Sequence, residues 1–289
     1  MAQSLLVERL AIIGVGLIGG SLALALKEAG AVGQVVGCGR GRPNLEKALE
    51  LGVIDSYTRE PAEAVRDADV IFLATPVKSL AEVAREIMPA LKPGAVLTDG
   101  GSVKGAVVAA IEPLLRDDVY FVPGHPIAGT EKSGAEAAFA SLYRGKRCIL
   151  TPLAETSERA VDLVERIWRC AGSHVERMSL EKHDKVLAAI SHLPHMVAYS
   201  LVNAVGSYDH YEENILEYSA GGFRDFTRIA SSDPTMWRDI AETNRDALLE
   251  MMSQFERFFA ELKNDVAEGS GEKLFEFFLR SKQLRDGIL

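Results

Sequence analysis

The sequence is poor in cysteine. Three cysteines in 289 residues, Cys38, Cys148 and Cys170, cannot build a disulfide framework, and none forms a C-x-x-C pair. That excludes a small secreted scaffold and leaves a zinc site without thiolate support. Long apolar runs are also missing: no segment reaches the ~18 consecutive apolar residues of a membrane span. The opening stretch MAQSLLVERLAIIG carries Glu8 and Arg9 inside its apolar run, so it reads neither as a signal peptide nor as an Arg/Ser-rich transit peptide. Positive charge is in deficit, with 32 Lys+Arg against 41 Asp+Glu and a net charge of −9. A broad phosphate-neutralising surface is therefore excluded, and nucleic acid with it. Any anion bound here must be met by a few placed cations. Internal repeats and low-complexity linkers are absent too. These absences lead to the expectation of a cytoplasmic protein with neither membrane nor nucleic-acid partners.

What is present is ordinary globular chemistry: 47% hydrophobic and 25% charged residues exclude wholesale disorder. The length predicts about two domains, at roughly 100–200 residues each. From residue 10 to about 150, short apolar runs alternate with helical spacing. Leu10 to Ile13, Val35 to Val36, Val70 to Ala74, Ala95 to Leu97, Val119 to Val122 and Cys148 to Leu150 read as buried strands. Ser21 to Ala29, Asn44 to Leu51, Ser79 to Leu91 and Val103 to Leu115 read as helices between them. This alternation predicts a parallel sheet covered on both faces. Thr156 to Cys170 and His174 to Met178 bridge to a second half without strand signals. There Leu180 to Val205, Pro234 to Leu262 and Lys273 to Leu284 have helical periodicity. The expected architecture is an α/β domain over residues 1–178, then an all-helical domain over residues 179–289.

The first strand runs into Gly14-Val15-Gly16-Leu17-Ile18-Gly19, and a helix opens at once. In that setting G-x-G-x-x-G is a dinucleotide fingerprint. Gly14 permits the tight turn, Gly16 lets the backbone approach a pyrophosphate, and Gly19 lets helix and strand pack closely. The helix N-terminus faces the phosphates with unpaired N–H groups. An NAD site of this Rossmann type usually places an acid at the end of the second strand to accept from the ribose 2′-OH. Here Gly39 holds that place and Arg40 and Arg42 follow it. Missing repulsion plus available guanidinium groups predicts a preference for NADP over NAD. Leu17, Ile18 and Thr75 complete the candidate cofactor contacts read here.

Three further segments carry candidate chemistry. Asp99-Gly100-Gly101-Ser102-Val103-Lys104 follows a parallel strand, where open α/β sheets place their ligands. His125, between Gly124 and Pro126 past the next strand, is a candidate general base, since imidazole titrates near neutrality at ~6.5. In the helical half stand Ser191-His192-Leu193-Pro194-His195 and Gly222 to Arg228. No third ligand accompanies His192 and His195, so they read as pocket-lining residues and no metal is expected. Arg224 and Arg228, four apart on an expected helix, share a face and offer either a carboxylate clamp or a solvated surface pair.

In these segments the chain resembles the prephenate/arogenate dehydrogenase (TyrA) family. Gly14 to Ser21, Gly101-Ser102-Val103-Lys104, His125-Pro126-Ile127-Ala128-Gly129, Ser191 to His195 and Phe226-Thr227-Arg228 occur in that family's order across essentially the whole chain. The resemblance implies oxidative decarboxylation of a cyclohexadienol to a phenol with hydride transfer to NAD(P)+, on the route to tyrosine. It implies His125 as the catalytic histidine, with Ser102 near the reacting hydroxyl and the nicotinamide. It further implies Arg228 on the substrate carboxylate, His195 and His192 at the substrate's polar end, and Glu131 and Asp225 near the pocket entrance. A homodimer built through the helical half is expected, as is the absence of fused mutase and regulatory domains. The choice between prephenate and arogenate stays open. So do two rival readings: another Rossmann hydroxyacid dehydrogenase with Lys182 or Lys185 as base, and a non-catalytic NADP(H)-binding regulator.

Overall fold

The structure is a computed structural model and describes residues 5–130, 132–208 and 215–288. Strands β1 (Val7–Ile13), β2 (Val32–Cys38), β3 (Ser56–Thr58), β4 (Val70–Leu73), β5 (Val96–Asp99) and β6 (Tyr120–Val122) form a parallel six-stranded sheet in the order β3-β2-β1-β4-β5-β6. This is the doubly wound order of dinucleotide-binding folds, with its switch point between β1 and β4. Helices α1 (Leu17–Glu28), α2 (Arg42–Glu50), α3 (Pro61–Val65), α4 (Val77–Ile87) and α5 (Gly105–Ile111) connect the strands, and α6 (Glu158–Cys170) adds a further cover.

Continuous apolarity in the strands has a direct cause: both faces are buried. Successive residues of a strand point to opposite faces. Leu10, Ile12 and Phe72 therefore join one core with Leu22, Leu26 and Trp168, while Ala11, Ile13, Ile71 and Leu73 join a second with Leu80, Ala84 and Val107. Trp168 meets Phe72 and Tyr143 edge-on, at centroid distances of 5.6 and 5.1 Å.

Cys148 to Leu150, read from the sequence as part of the parallel sheet, lies elsewhere. Strands β7 (Gly124–Pro126), β8 (Arg147–Leu150) and β9 (His174–Arg177) make a separate three-stranded sheet, with β7 antiparallel and β9 parallel to β8. The bridging stretch from His174 is thus a strand. β7 carried no strand signal because Gly-His-Pro has no apolar pattern; its pairing partners come from the distant β8.

Beyond β9 the described chain is helical: α7 (Leu180–Leu187), a π-helical turn (Ala188–His192), α8 (Leu193–Tyr208), α9 (Gly221–Thr227), a 3-10 turn (Arg228–Ser231), α10 (Pro234–Thr243), α11 (Arg245–Glu268) and α12 (Gly271–Asp286). The expected continuous helix from Leu180 to Val205 is interrupted at the π turn. Pro194 lacks an N–H and its ring crowds the carbonyl four residues back, which the widened turn accommodates. The expected helix from Pro234 to Leu262 breaks at Asn244, whose φ of −110° and ψ of 38° are not helical. Asp233 caps α10 by accepting from the amides of Thr235 and Met236 at 2.7 and 3.0 Å. No helix among the described residues is long and apolar enough to cross a membrane.

Candidate active site

The glycine loop sits at the carboxyl edge of the sheet. Gly14 has φ +103°, and a Cβ there would lie 2.5 Å from the Ala74 carbonyl oxygen. At Gly19 a Cβ would meet the Gly14 oxygen at 2.5 Å and Ile12 Cγ2 at 2.6 Å, so strand and helix touch through it. Gly16 differs: a Cβ there would meet nothing within 4 Å. Its side-chain space is open, and the N-terminus of α1 above it has no side-chain cap. The amides of Leu17 and Ile18, in the first turn of α1 and without a partner among the described residues, stand beside that open space, as a pyrophosphate needs. Thr75, just past β4, adds a buried hydroxyl with no partner among the described residues. The residues present fit a dinucleotide.

At the end of β2, Gly39 would accept a side chain, since its Cβ would stand 3.6 Å from Leu45, an ordinary contact. The missing acid is therefore not a steric necessity. Arg40 is exposed and forms no ion pair among the described residues, whereas Arg42 donates to Glu46 at 2.9 Å.

At the opposite side of the same edge, β5 ends in Asp99, which joins this edge to β7. Its carboxylate accepts from the amides of Gly101 at 2.8 Å and Gly124 at 3.1 Å, and pairs with the fully buried ammonium of Lys104. Lys104 Nζ also donates to the Gly124 carbonyl at 2.7 Å. The segment read as ligand-facing thus turns two of its members inward and fixes the backbone next to His125. Breaking such a buried pair costs about 3–5 kcal/mol. Ser102, half-buried, is left on the turn between them.

His125 is buried at 8% exposure on β7. Its Nδ1 lies 2.9 Å from Nε2 of His183, and His183 Nδ1 lies 2.8 Å from the Asp184 carboxylate. Burial first, then His183, Lys104 and His192, push the His125 imidazole well below its usual value. The ring is neutral at pH 7, and its titration lies below the ~6.5 of free imidazole expected from the sequence.

From the helical half, Asn244 Nδ2 donates to His192 Nδ1 at 3.1 Å and to the Asp184 carbonyl at 2.9 Å. Burial holds His192 down at about 4. His195 Nδ1 donates to the Ser191 carbonyl at 2.9 Å, and its ring stacks on Trp237 at 3.7 Å and 24°. Both imidazoles are neutral, with tautomers fixed by those partners. Arg224 and Arg228 do not share one helix: Arg224 is in α9 and Arg228 opens the following 3-10 turn. Arg228 and Asp225 are both exposed. Glu131 lies outside the described residues. Lys182 and Lys185 stand on the exposed face of α7, Lys185 paired with Glu181 at 3.4 Å, while His183 between them points inward.

Sequence reasoning missed His183, Asp184, Asn244 and Trp237. One signal was available. His183 lies three residues after Leu180 and four before Leu187, on the apolar stripe of a helix where a histidine has to find buried partners.

Comparison with known proteins gives the family. A family model for the prephenate dehydrogenase nucleotide-binding domain matches residues 22–177, and one for the prephenate dehydrogenase dimerization domain matches residues 179–280. A cyclohexadienyl dehydrogenase of Zymomonas mobilis is 38% identical over 279 residues, covering 96% of this chain and 95% of that protein. A prephenate dehydrogenase of Bacillus subtilis is 37% identical over 286 residues, covering 97% and 76%. The crystal structure of prephenate dehydrogenase from Aquifex aeolicus, in complex with hydroxyphenyl propionate and NAD+, superposes with a TM-score of 0.93 at 39% identity, covering 99% of this chain and 100% of that one. The chain belongs to the prephenate dehydrogenase family of NAD(P)-dependent dehydrogenases.

Proposed function

We propose that this chain oxidatively decarboxylates prephenate, arogenate or both, giving 4-hydroxyphenylpyruvate or tyrosine with hydride transfer to NAD(P)+, as a step of tyrosine biosynthesis. The observation that carries the residue assignment is His125: a buried, neutral imidazole on β7, just past the carboxyl end of β5, with Nδ1 already occupied. Its Nε2 accepts the proton of the ring C4 hydroxyl as hydride leaves that carbon. The nicotinamide, when bound, supplies the hydride acceptor. The ring's C–CO2 bond then breaks, and its electron pair restores aromaticity. CO2 departs, and the phenolate oxygen takes back the proton held by His125, so the imidazole ends as it began.

Ser102 hydrogen-bonds near that hydroxyl and the nicotinamide. Arg228 holds the substrate's side-chain carboxylate, with His195 and His192 at its polar end and Asp225 near the entrance; Glu131, outside the described residues, is assigned to the pocket by the resemblance alone. In the loop from Gly14 to Gly19, Gly16, Leu17 and Ile18 meet the pyrophosphate while Gly14 and Gly19 give the turn and the close packing, and Thr75 also contacts the cofactor. NADP is preferred over NAD, an assignment supported by the space at Gly39 and by the exposed Arg40, with Arg42 alongside.

Residues 1–178 form the nucleotide domain and 179–289 the substrate-binding and dimerisation domain. The chain works in the cytoplasm as a homodimer, the dimer being supported by the match of the helical half to a dimerization domain. The dimer is supported also by the exposed apolar side chains of α11 and α12, among them Phe255, Phe259, Phe275 and Phe278. The test is a two-by-two assay, either substrate with either cofactor, on the wild type and on His125→Asn. The variant is expected to lose kcat by roughly 10²–10⁴-fold with cofactor affinity little changed. Near-normal kcat would remove His125 from the chemistry.

A further inference from the structure

A general base needs its lone pair on the nitrogen that faces the substrate. Free neutral imidazole favours the proton on Nε2, which would leave His125 with the wrong nitrogen available. We infer that His183 and Asp184 are positioning residues for the base. Through an Asp184–His183–His125 chain they keep the His125 proton on Nδ1 and the Nε2 lone pair open. The inference rests on the assignment of His125 as base.

The polarity of the chain follows from its far end. An ionised carboxylate only accepts hydrogen bonds. Burial alone raises the Asp184 carboxyl, but hydrogen bonds from His183 and from the Lys104 and Gly105 amides outweigh it and hold the group below its usual value. The two amides lie 2.9 and 2.8 Å from its oxygens. They belong to the start of α5, so the carboxylate also caps a helix of the nucleotide half. His183 Nδ1 must then donate to Asp184, at 2.8 Å. A neutral imidazole carries one N–H, so His183 Nε2 is an acceptor. Among the described residues, the only group it faces at hydrogen-bond distance is His125 Nδ1, at 2.9 Å. His125 therefore donates from Nδ1.

The remaining groups that face His125 are Lys104 from the turn before α5, His192 from the π turn and Cys148 across β8. None offers Nδ1 an alternative acceptor in the hydrogen bonds of the described residues. The opposite polarity would require an imidazolium at the fully buried His183, next to a second buried cation at Lys104. Asp184 stays ionised throughout; no proton travels to it. Its share of the work is orientation and stabilisation of the imidazolium that forms on His125, the part the aspartate takes in a serine-protease triad.

Two measurements test this. Histidine-selective 15N NMR of the cofactor-bound wild-type enzyme, with His125 assigned from the resonance missing in His125→Asn, is expected to show His125 protonated at Nδ1. Steady-state kinetics then compare His183→Leu, which removes both hydrogen bonds, with His183→Gln, whose amide can accept from His125 and donate to Asp184. His183→Leu is expected to lose ~10²–10³-fold in kcat, below the ~10⁴ seen when the triad aspartate is neutralised, with KM and cofactor affinity within about threefold. His183→Gln is expected to recover to within about tenfold of wild type. An Nε2 proton on His125 in the wild type overturns the inference. So does a His183→Leu enzyme with kcat within threefold of wild type, or equal losses in the Leu and Gln variants. Should the Leu variant not fold, the NMR result alone decides. A fully active His125→Asn enzyme would instead sink the assignment of the base, which is a separate outcome.

Discussion

Replacing Gly39 by aspartate is expected to reverse the cofactor preference. The backbone there is outside the left-handed region, and a Cβ would stand 3.6 Å from Leu45 Cδ2, so the side chain enters without strain. At 4 Å two unit charges interact by about 1 kcal/mol in water and about 4 kcal/mol at the effective dielectric of a protein surface. A 2′-phosphate carries about −1.5 to −2 charges. The site is open to solvent, so the lower end of that range applies: repulsion of about 2–4 kcal/mol, or roughly 30- to 1,000-fold in kcat/KM for NADP. NAD gains a hydrogen bond from its ribose 2′-OH to a charged acceptor, worth about 1 kcal/mol in so exposed a place, or about fivefold. The assay is initial-rate kinetics at saturating substrate with each cofactor, at fixed ionic strength because the effect is screened. The NADP/NAD ratio of kcat/KM should fall by about 10² or more. A wild type that already favours NAD, or a ratio that moves by less than threefold, would refute the reasoning about Gly39 and Arg40.

The buried histidines also set a stability profile. His125 and His192 are held neutral in the fold, His192 down at about 4, while the unfolded chain takes up their protons below ~6.5. Stability is therefore complete above pH 6.5 and lost as the pH falls towards 4; His192 alone accounts for about 3 kcal/mol. Urea midpoints at pH 7.5 and 4.5 check this, and equal midpoints would contradict it. Arg228→Ala should raise KM for the substrate about tenfold or more with kcat largely kept; an unchanged KM tells against the clamp. Phe259→Asp, at a position 58% exposed on α11, should shift sedimentation to a monomer. A dimer at unchanged concentration would place the interface elsewhere.

The parallel sheet was legible because its cause is local: a strand buried on both faces must be apolar throughout, as Val70 to Leu73 are. The glycine loop was legible for the same reason, its geometry being contained in six consecutive residues. The small sheet was not. β7 consists of Gly, His and Pro, and only the register His125↔Ile149 with β8 makes it a strand. The site divides in the same way. His125, Ser102 and the His192/His195 pair stand in recognisable local segments. His183, Asp184 and Asn244 matter through partners 58, 80 and 52 residues away. Single-sequence patterning carries no signal for such contacts, beyond the oddity of a histidine on the apolar stripe of α7.

Asp184 caps α5 from the other half of the chain, and this bears on how the protein can be cut and recombined. The stretch up to residue 178 holds every strand among the described residues, yet alone it would leave the Lys104 and Gly105 amides without the Asp184 cap and His125 without its His183 partner. With His125 as the proposed base, a hybrid grafting a foreign helical half onto this sheet is expected to keep it working only if the donor supplies an equivalent of the His183–Asp184 pair at the start of its first helix. The seam between the halves is a shared organ, and the transplantable unit runs through α7 and the π turn, to about residue 192.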